Sequence, residues 1–243
     1  ATTYIYTLSL HDALPILGDL LDELDGPLTL DETAAVISSV AAALAFAHEN
    51  GVLHLDMKPD NVLIDRDGRV KVVDFGMAEL SSLSGHGPAW GGTLGYMPLE
   101  QLEGTRVSER TDEWALAVIA YECLTGDNPF VEPTIESAVV NLEVFDPPPP
   151  SASEPELPAP IDDIIMAGLG PRPAERYETV SQFAAALLPQ LGDAETGRAL
   201  LAALVSTYAG EPEYDGESLE RLGLWDRLRG RGGSVLLRLL AVG

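Results

Sequence analysis

The chain has 243 residues, 46% of them hydrophobic, enough apolar surface to close a core in one large domain or two small ones. Against 39 acidic residues stand only 14 basic ones, a net charge of -25, so a basic stripe tracking a phosphate backbone is hard to build and nucleic acid is not an expected partner. A single cysteine, Cys123, rules out an internal disulfide framework; it falls in an apolar helical pattern and reads as core in a reducing compartment.

No basic stretch followed by an apolar run and a small-residue cleavage site opens the chain, and a cytoplasmic location is expected. From residue 26 the pattern turns helical. Thr29 and Glu32 form a T-x-x-E capping box, and Val36, Ile37, Val40, Ala41 and Leu44 recur at helical spacing until "ENG" at 49–51. Three short β-rich runs follow, "GVLH", "NVLI" and "RVKVVDF". The last two are joined by "DRDG", whose Asp-Gly pair suits a tight turn, so a small hairpin is predicted. The Gly/Ser-rich stretch Ser81 to Gly95 reads as a long loop of the kind that carries function.

"TDEWALAVIAYECL", 111–124, is apolar almost all round and predicts a helix buried on every side. A short helix over 134–142 and a Pro-rich, exposed connection over 146–160 come next. Further helices are predicted at about 161–169, 179–188 and 198–208, then an acidic stretch, "EPEYDGESLE". The terminal "RLRGRGGSVLLRLLAVG" is too short an apolar run to span a bilayer and is broken by Arg238. An amphipathic end helix is expected, a span cut off by the chain end being the alternative. No internal repeat is evident.

The chemistry concentrates in "HLDMKPDN", 54–61. Phosphoryl transfer needs a carboxylate to orient the attacking hydroxyl, a cation for the transferring group and ligands for Mg²⁺, and Asp56, Lys58 and Asn61 supply these types from one loop. A second carboxylate, Asp74, opens "DFG" at the end of a predicted strand, where it can face that loop.

Five segments in order, "HLDMKPDN", "DFG", "GGTLGYMPLE" (91–100), "TDEWALAVIAYECLTGDNPF" (111–130) and "PRPAERY" (171–177), resemble the C-terminal lobe of protein kinases, most of all the bacterial Ser/Thr type. The resemblance covers about residues 17–190, leaving 191–243 as a helical and acidic tail. It implies a mainly α fold with a small β-hairpin and no N-terminal lobe. It also implies ATP and Mg²⁺ as cofactors and a protein substrate with a Ser or Thr acceptor. By the same resemblance Asp56 is the catalytic base, Lys58 the cation at the γ-phosphate, and Asn61 and Asp74 the two metal ligands. Leu63 lies beneath the adenine ring, and Thr93 contacts the catalytic loop and favours Ser/Thr over Tyr. Asp112 is expected to anchor the catalytic loop from the central helix, and Glu100 to pair with Arg176; without the ordered motif set, helix capping or surface charge is the plainer reading of these last three.

Departures from the family are informative. Leu55 stands where the family has an Arg before the catalytic Asp, so no guanidinium is there to pair with a phosphorylated activation segment, and Ser81, Ser82 and Ser84 are weak candidate acceptors. "PLE" replaces "APE", leaving the local backbone course open, and Ala117 replaces a usual Gly of the central helix. The two lysines of the chain, Lys58 and Lys71, both lie inside the C-lobe pattern, so neither serves as the strand Lys that grips the α- and β-phosphates. Such a chain is expected to be inactive by itself, with a pseudokinase or scaffold as the alternative function. Residues 1–16, "ATTYIYTLSLHDALPI", resemble an in-frame translation of a short-read sequencing adapter, matching at every codon except that of Tyr4; the alternative is a true β-strand, given the β-branched and aromatic residues of "TYIYTLSL".

Overall fold

The computed structural model describes residues 15–24, 26–75, 94–144 and 147–208. The adapter-like segment up to Leu14, the loop with Ser81, Ser82, Ser84 and Thr93, and the tail beyond Tyr208 lie outside the described residues.

The first helix, α1 (Leu17–Glu23), was not anticipated, although Leu17, Leu20 and Leu21 carry its i, i+3, i+4 signature and are its buried residues. The capping box forms as predicted. Glu32 N–H donates to the Thr29 hydroxyl at 3.2 Å and Thr29 N–H to the Glu32 carboxylate at 2.8 Å, opening α2 (Leu30–Glu49). Length and apolar content alone would let α2 cross a bilayer. Here it is a core helix, with Val36, Ile37, Val40 and Leu44 fully buried.

Strands β1 (Val62–Ile64) and β2 (Val70–Val72) pair antiparallel, Val62 opposite Val72 and Ile64 opposite Val70. The turn between them needs a left-handed residue, which Gly68 supplies at φ +73°. Ile16 adds a bridge to Leu63, and Ile64 N–H donates to Pro15 O at 3.0 Å, so the start of the described chain extends the sheet edge. "GVLH" is not a strand. The amides of His54 and Leu55 are taken by a side chain, the Asp112 carboxylate, instead of a neighbouring strand.

Pro98 leads into the short α3 (Leu99–Leu102), so the altered "PLE" still presents Glu100 from a helical turn. The predicted central helix is α4 (Glu109–Thr125), buried from Thr111 through Tyr121 and closed by Gly126 at φ +82°. Cys123 is fully buried in it, as expected. Then follow α5 (Ile135–Val144), α6 (Pro160–Gly168), α7 (Val180–Leu187) and α8 (Ala194–Tyr208). The Pro-rich connection is less exposed than its composition suggests: Pro150 is buried in a 3₁₀ turn and Pro148 O accepts from the Tyr121 hydroxyl at 3.1 Å. Ala117, for its part, is accommodated by Gly168 of α6, where an added Cβ would lie 2.8 Å from the Ala117 methyl and 3.0 Å from Phe183. Among the described residues the result is mainly α with one hairpin, wrapped around α4.

Candidate active site

The loop 54–61 runs from the end of α2 to β1, and its course is dictated by one buried carboxylate. Asp112, in the first turn of α4, accepts from His54 N–H and Leu55 N–H, both at 2.8 Å, and lies 2.7 Å from His48 Nε2. Gln101 Nε2 grips the same loop from the other side, donating to Leu55 O at 2.6 Å. Held at both its N–H and its carbonyl, Leu55 sits at φ +61°, a strained conformation for a branched side chain. The sharp turn delivers Asp56 next.

Asn61 closes the loop onto Asp56. Its Nδ2 donates to Asp56 O at 2.6 Å and to the Asp56 carboxylate at 3.2 Å. The Lys58 ammonium lies 3.7 Å from the other Asp56 oxygen and 4.0 Å from Asp60. One cation, one carboxylate and one amide therefore share a small, mostly buried volume, which strengthens their mutual field.

Asp74 follows Val73, whose backbone is tied to the same loop. Val73 N–H donates to Asn61 O at 2.9 Å, extending the hairpin by one rung, and Val73 O lies 3.0 Å from His54 Nε2. Asp56 N–H donates to the other ring nitrogen, Nδ1, at 3.3 Å. Both bonds are satisfied by a neutral imidazole with its proton on Nε2. His54 also meets Phe75 edge-on, ring centroids 4.6 Å apart. Asp74 itself lies at φ +66°, a second non-glycine residue in the left-handed region within the same site. Leu63, 6% exposed, lies on β1 opposite Lys71, whose ammonium is 3.0 Å from Asp65.

A buried brace stands behind the site. Arg176 Nη1 and Nη2 donate to the two oxygens of Glu100 at 2.8 and 3.1 Å, Nε donates to Gly170 O at 2.6 Å, and further bonds reach Arg110 O and Pro171 O. Such forked geometry satisfies both ions fully. Farther along α4, the Tyr96 hydroxyl donates to Glu122 at 2.5 Å. Burial pushes the Glu122 carboxyl up to about 7, the Tyr96 bond pulls the other way, and Asp22, Asp60 and Asp127 add repulsion.

The profile of the protein kinase domain family matches residues 9–185. The chain belongs to that family. Among kinase relatives, serine/threonine-protein kinase PknB of Mycobacterium tuberculosis is 36% identical over 168 residues, 68% of this chain and 27% of PknB. Pkn1 of Myxococcus xanthus is 38% identical over 174 residues, 69% of this chain and 25% of Pkn1. PknH of M. tuberculosis is 36% identical over 177 residues, 72% of this chain and 28% of PknH. The chain thus spans about a quarter of the length of the curated kinases it matches.

Of the residues singled out in the sequence, Asp56, Lys58 and Asn61 are drawn together directly, and Asp74 joins them through Val73. Asp112 holds the loop, and Glu100 pairs with Arg176, both as expected. Thr93 falls outside the described residues. Sequence reasoning missed His48, Gln101 and the Tyr96–Glu122 pair. His48 in the last turn of a helix, and Gln101 next to the expected ion-pair Glu, were the signals available.

Proposed function

We propose that the protein is a serine/threonine kinase and that this chain supplies its catalytic loop, metal ligands and substrate-bracing segment. The observation that carries the reading is the Asp56–Lys58–Asn61 cluster on a loop whose amides are pinned by Asp112. Asp56 would accept the hydrogen bond of the attacking hydroxyl and orient it, while Lys58 would meet the charge on the transferred phosphoryl group. The names of the relatives, and Thr93 in "GGT", support a Ser or Thr acceptor on a protein substrate.

The donor set fits Mg²⁺. Asn61 turns its amide N–H₂ inward to Asp56, which leaves its carbonyl oxygen as the remaining hard donor, and Asp74 adds a carboxylate one rung away. Two such oxygens suit a cation that completes its shell with water and nucleotide phosphates. When bound, the metal would neutralise the charge of the ATP phosphates. Leu63 on β1 would form the apolar floor for adenine.

The grip on the α- and β-phosphates has no candidate in this chain, because Lys58 belongs to the catalytic loop and Lys71 pairs with Asp65 in the hairpin. Positioning supplies most of the rate in phosphoryl transfer, so the 243-residue chain alone should transfer no measurable phosphate. Fused behind the N-terminal lobe of PknB, it should phosphorylate a Ser/Thr protein substrate in the presence of Mg·ATP, and Asp56→Asn should lower that rate by about 10²–10⁴. A silent fusion, together with no perturbation of the chain by Mg·ATP, would favour a second reading. That reading is a binding module on the kinase fold, for which Leu55 in place of the usual Arg is the supporting residue.

A further inference from the structure

The family match ends at residue 185, yet the chain continues into α8, which lies along α2 and reaches the hairpin. Gly197, Leu201 and Val205, spaced at i, i+4 and i+8, are its buried stripe. Its start is fixed to the first turn of α2: Gly192 N–H donates to Leu30 O at 3.4 Å and Asp193 N–H to the Asp31 carboxylate at 2.6 Å. Asp193 then caps α8 by accepting from Thr196 N–H at 2.7 Å.

Three glycines make the contact close. A Cβ at Gly192 or at Gly197 would collide with Asp31, and a Cβ at Gly68, in the hairpin turn, would collide with the Arg198 carbonyl. Gly197 lies in ordinary helical backbone, where alanine is the better helix former. Its smallness is explained by docking alone. Farther along, Arg198 Nη1 donates to Asp67 O at 3.3 Å in the same turn, and the Tyr208 hydroxyl donates to Glu23 O at 3.1 Å at the end of α1. One helix therefore touches α2, the tip of the hairpin that carries Leu63 and leads to Asp74, and the last residue of α1.

We infer that α8 is a strap that sets the tilt of the β1–β2 hairpin and the seat of α1, with Gly68 and Arg198 as positioning residues for the floor of the cleft. That the hairpin floors a nucleotide cleft rests on the kinase reading; the docking of α8 does not. Individual exposed hydrogen bonds are weak, and the close backbone approaches at Gly68 and Gly197 are what transmit the restraint.

The test is amide hydrogen exchange on the full chain carrying Gly197→Ala, with Ser206→Ala, which removes an exposed bond to Ala202 O within α8, as control. The strap predicts at least tenfold faster exchange of Ile64, Val73 and Leu20 amides in Gly197→Ala with overall helix content kept, and parent rates in the control. Faster exchange confined to α2 would reduce α8 to a cover over that helix, and unchanged exchange everywhere would mean that it is not docked; either result overturns the inference. Should Gly197→Ala fail to fold, Arg198→Ala removes the tip contact together with the exposed pair to Glu195 and should speed hairpin exchange about threefold, with Arg198→Lys restoring it. No such change in Arg198→Ala also overturns it. The activity of the fusion behind the PknB N-terminal lobe separates the two readings, since the exchange pattern together with a silent fusion and a chain that ignores Mg·ATP keeps the strap and loses the cleft.

Discussion

At the residue scale, Arg176 and Glu113 lie in the same interior and meet opposite fates. Arg176 has no exposed side-chain surface and spends its donors on Glu100 and on three backbone carbonyls. Arg176→Ala would leave the Glu100 charge buried without its partner and should cost about 3–5 kcal/mol in denaturant unfolding, whereas Arg176→Met combined with Glu100→Leu should recover most of the loss. Glu113 is equally buried but has no hydrogen-bond partner among the described residues. Burial pushes its carboxyl up to about 9 against the downward pull of Arg176 and Arg110, with Glu100 adding to the rise. Below its ordinary value of 4.5 both folded and unfolded chains hold this proton; above it only the folded chain does, so stability is lost as pH rises from 4.5 to 9. Glu113→Gln removes that loss, and its stability relative to the parent should improve between pH 5 and pH 9 by at least about 1.4 kcal/mol, one pKa unit's worth. Asp112, Glu100 and Arg176 were legible because an ordered motif set names the partner of each. Glu113 was not, since nothing in "TDEWALAV" distinguishes a carboxylate facing solvent from one facing Gly168.

At the scale of elements, periodicity found α2 and the α4 to α7 helices to within a few residues because each buries a regular apolar stripe or is buried all round. It failed at "GVLH", where β propensity is real but the amides are claimed by Asp112, a contact 58 residues away for His54. It also passed over α1, at seven residues too short for a periodic pattern to stand out. The Gly168 and Ala117 pair is a complementary exchange of volume between α6 and α4. Gly168→Ala should therefore destabilise by about 1–3 kcal/mol through overpacking, and Ala117→Gly should return part of that loss when the two are combined, a coupling measurable in a double-mutant cycle.

For the whole molecule the dominant quantity is charge. With -25 formal charges the folded chain repels itself, and salt screens that repulsion beyond about 10 Å at 0.1 M. The midpoint of thermal unfolding should rise as NaCl is raised from about 50 to 500 mM, by the opposite sign to what loss of surface ion pairs alone would give. Overall class was readable from the sequence, mainly α with one hairpin, because helical stripes and an Asp-Gly turn are local signals. The closure of α8 onto α2 was not, because it depends on glycines whose meaning appears only when another backbone lies against them.

That closure also sets a timetable. Asp31 and Asp193, the pair that seats α8, are 162 residues apart. At about 5–20 residues per second, a ribosome leaves the seat on α2 vacant for roughly 8 to 30 s after making it. Throughout that interval the nascent chain offers, on the side of α2 that α8 will close, a strip whose cover has yet to be synthesised, a surface that a chaperone can hold during translation.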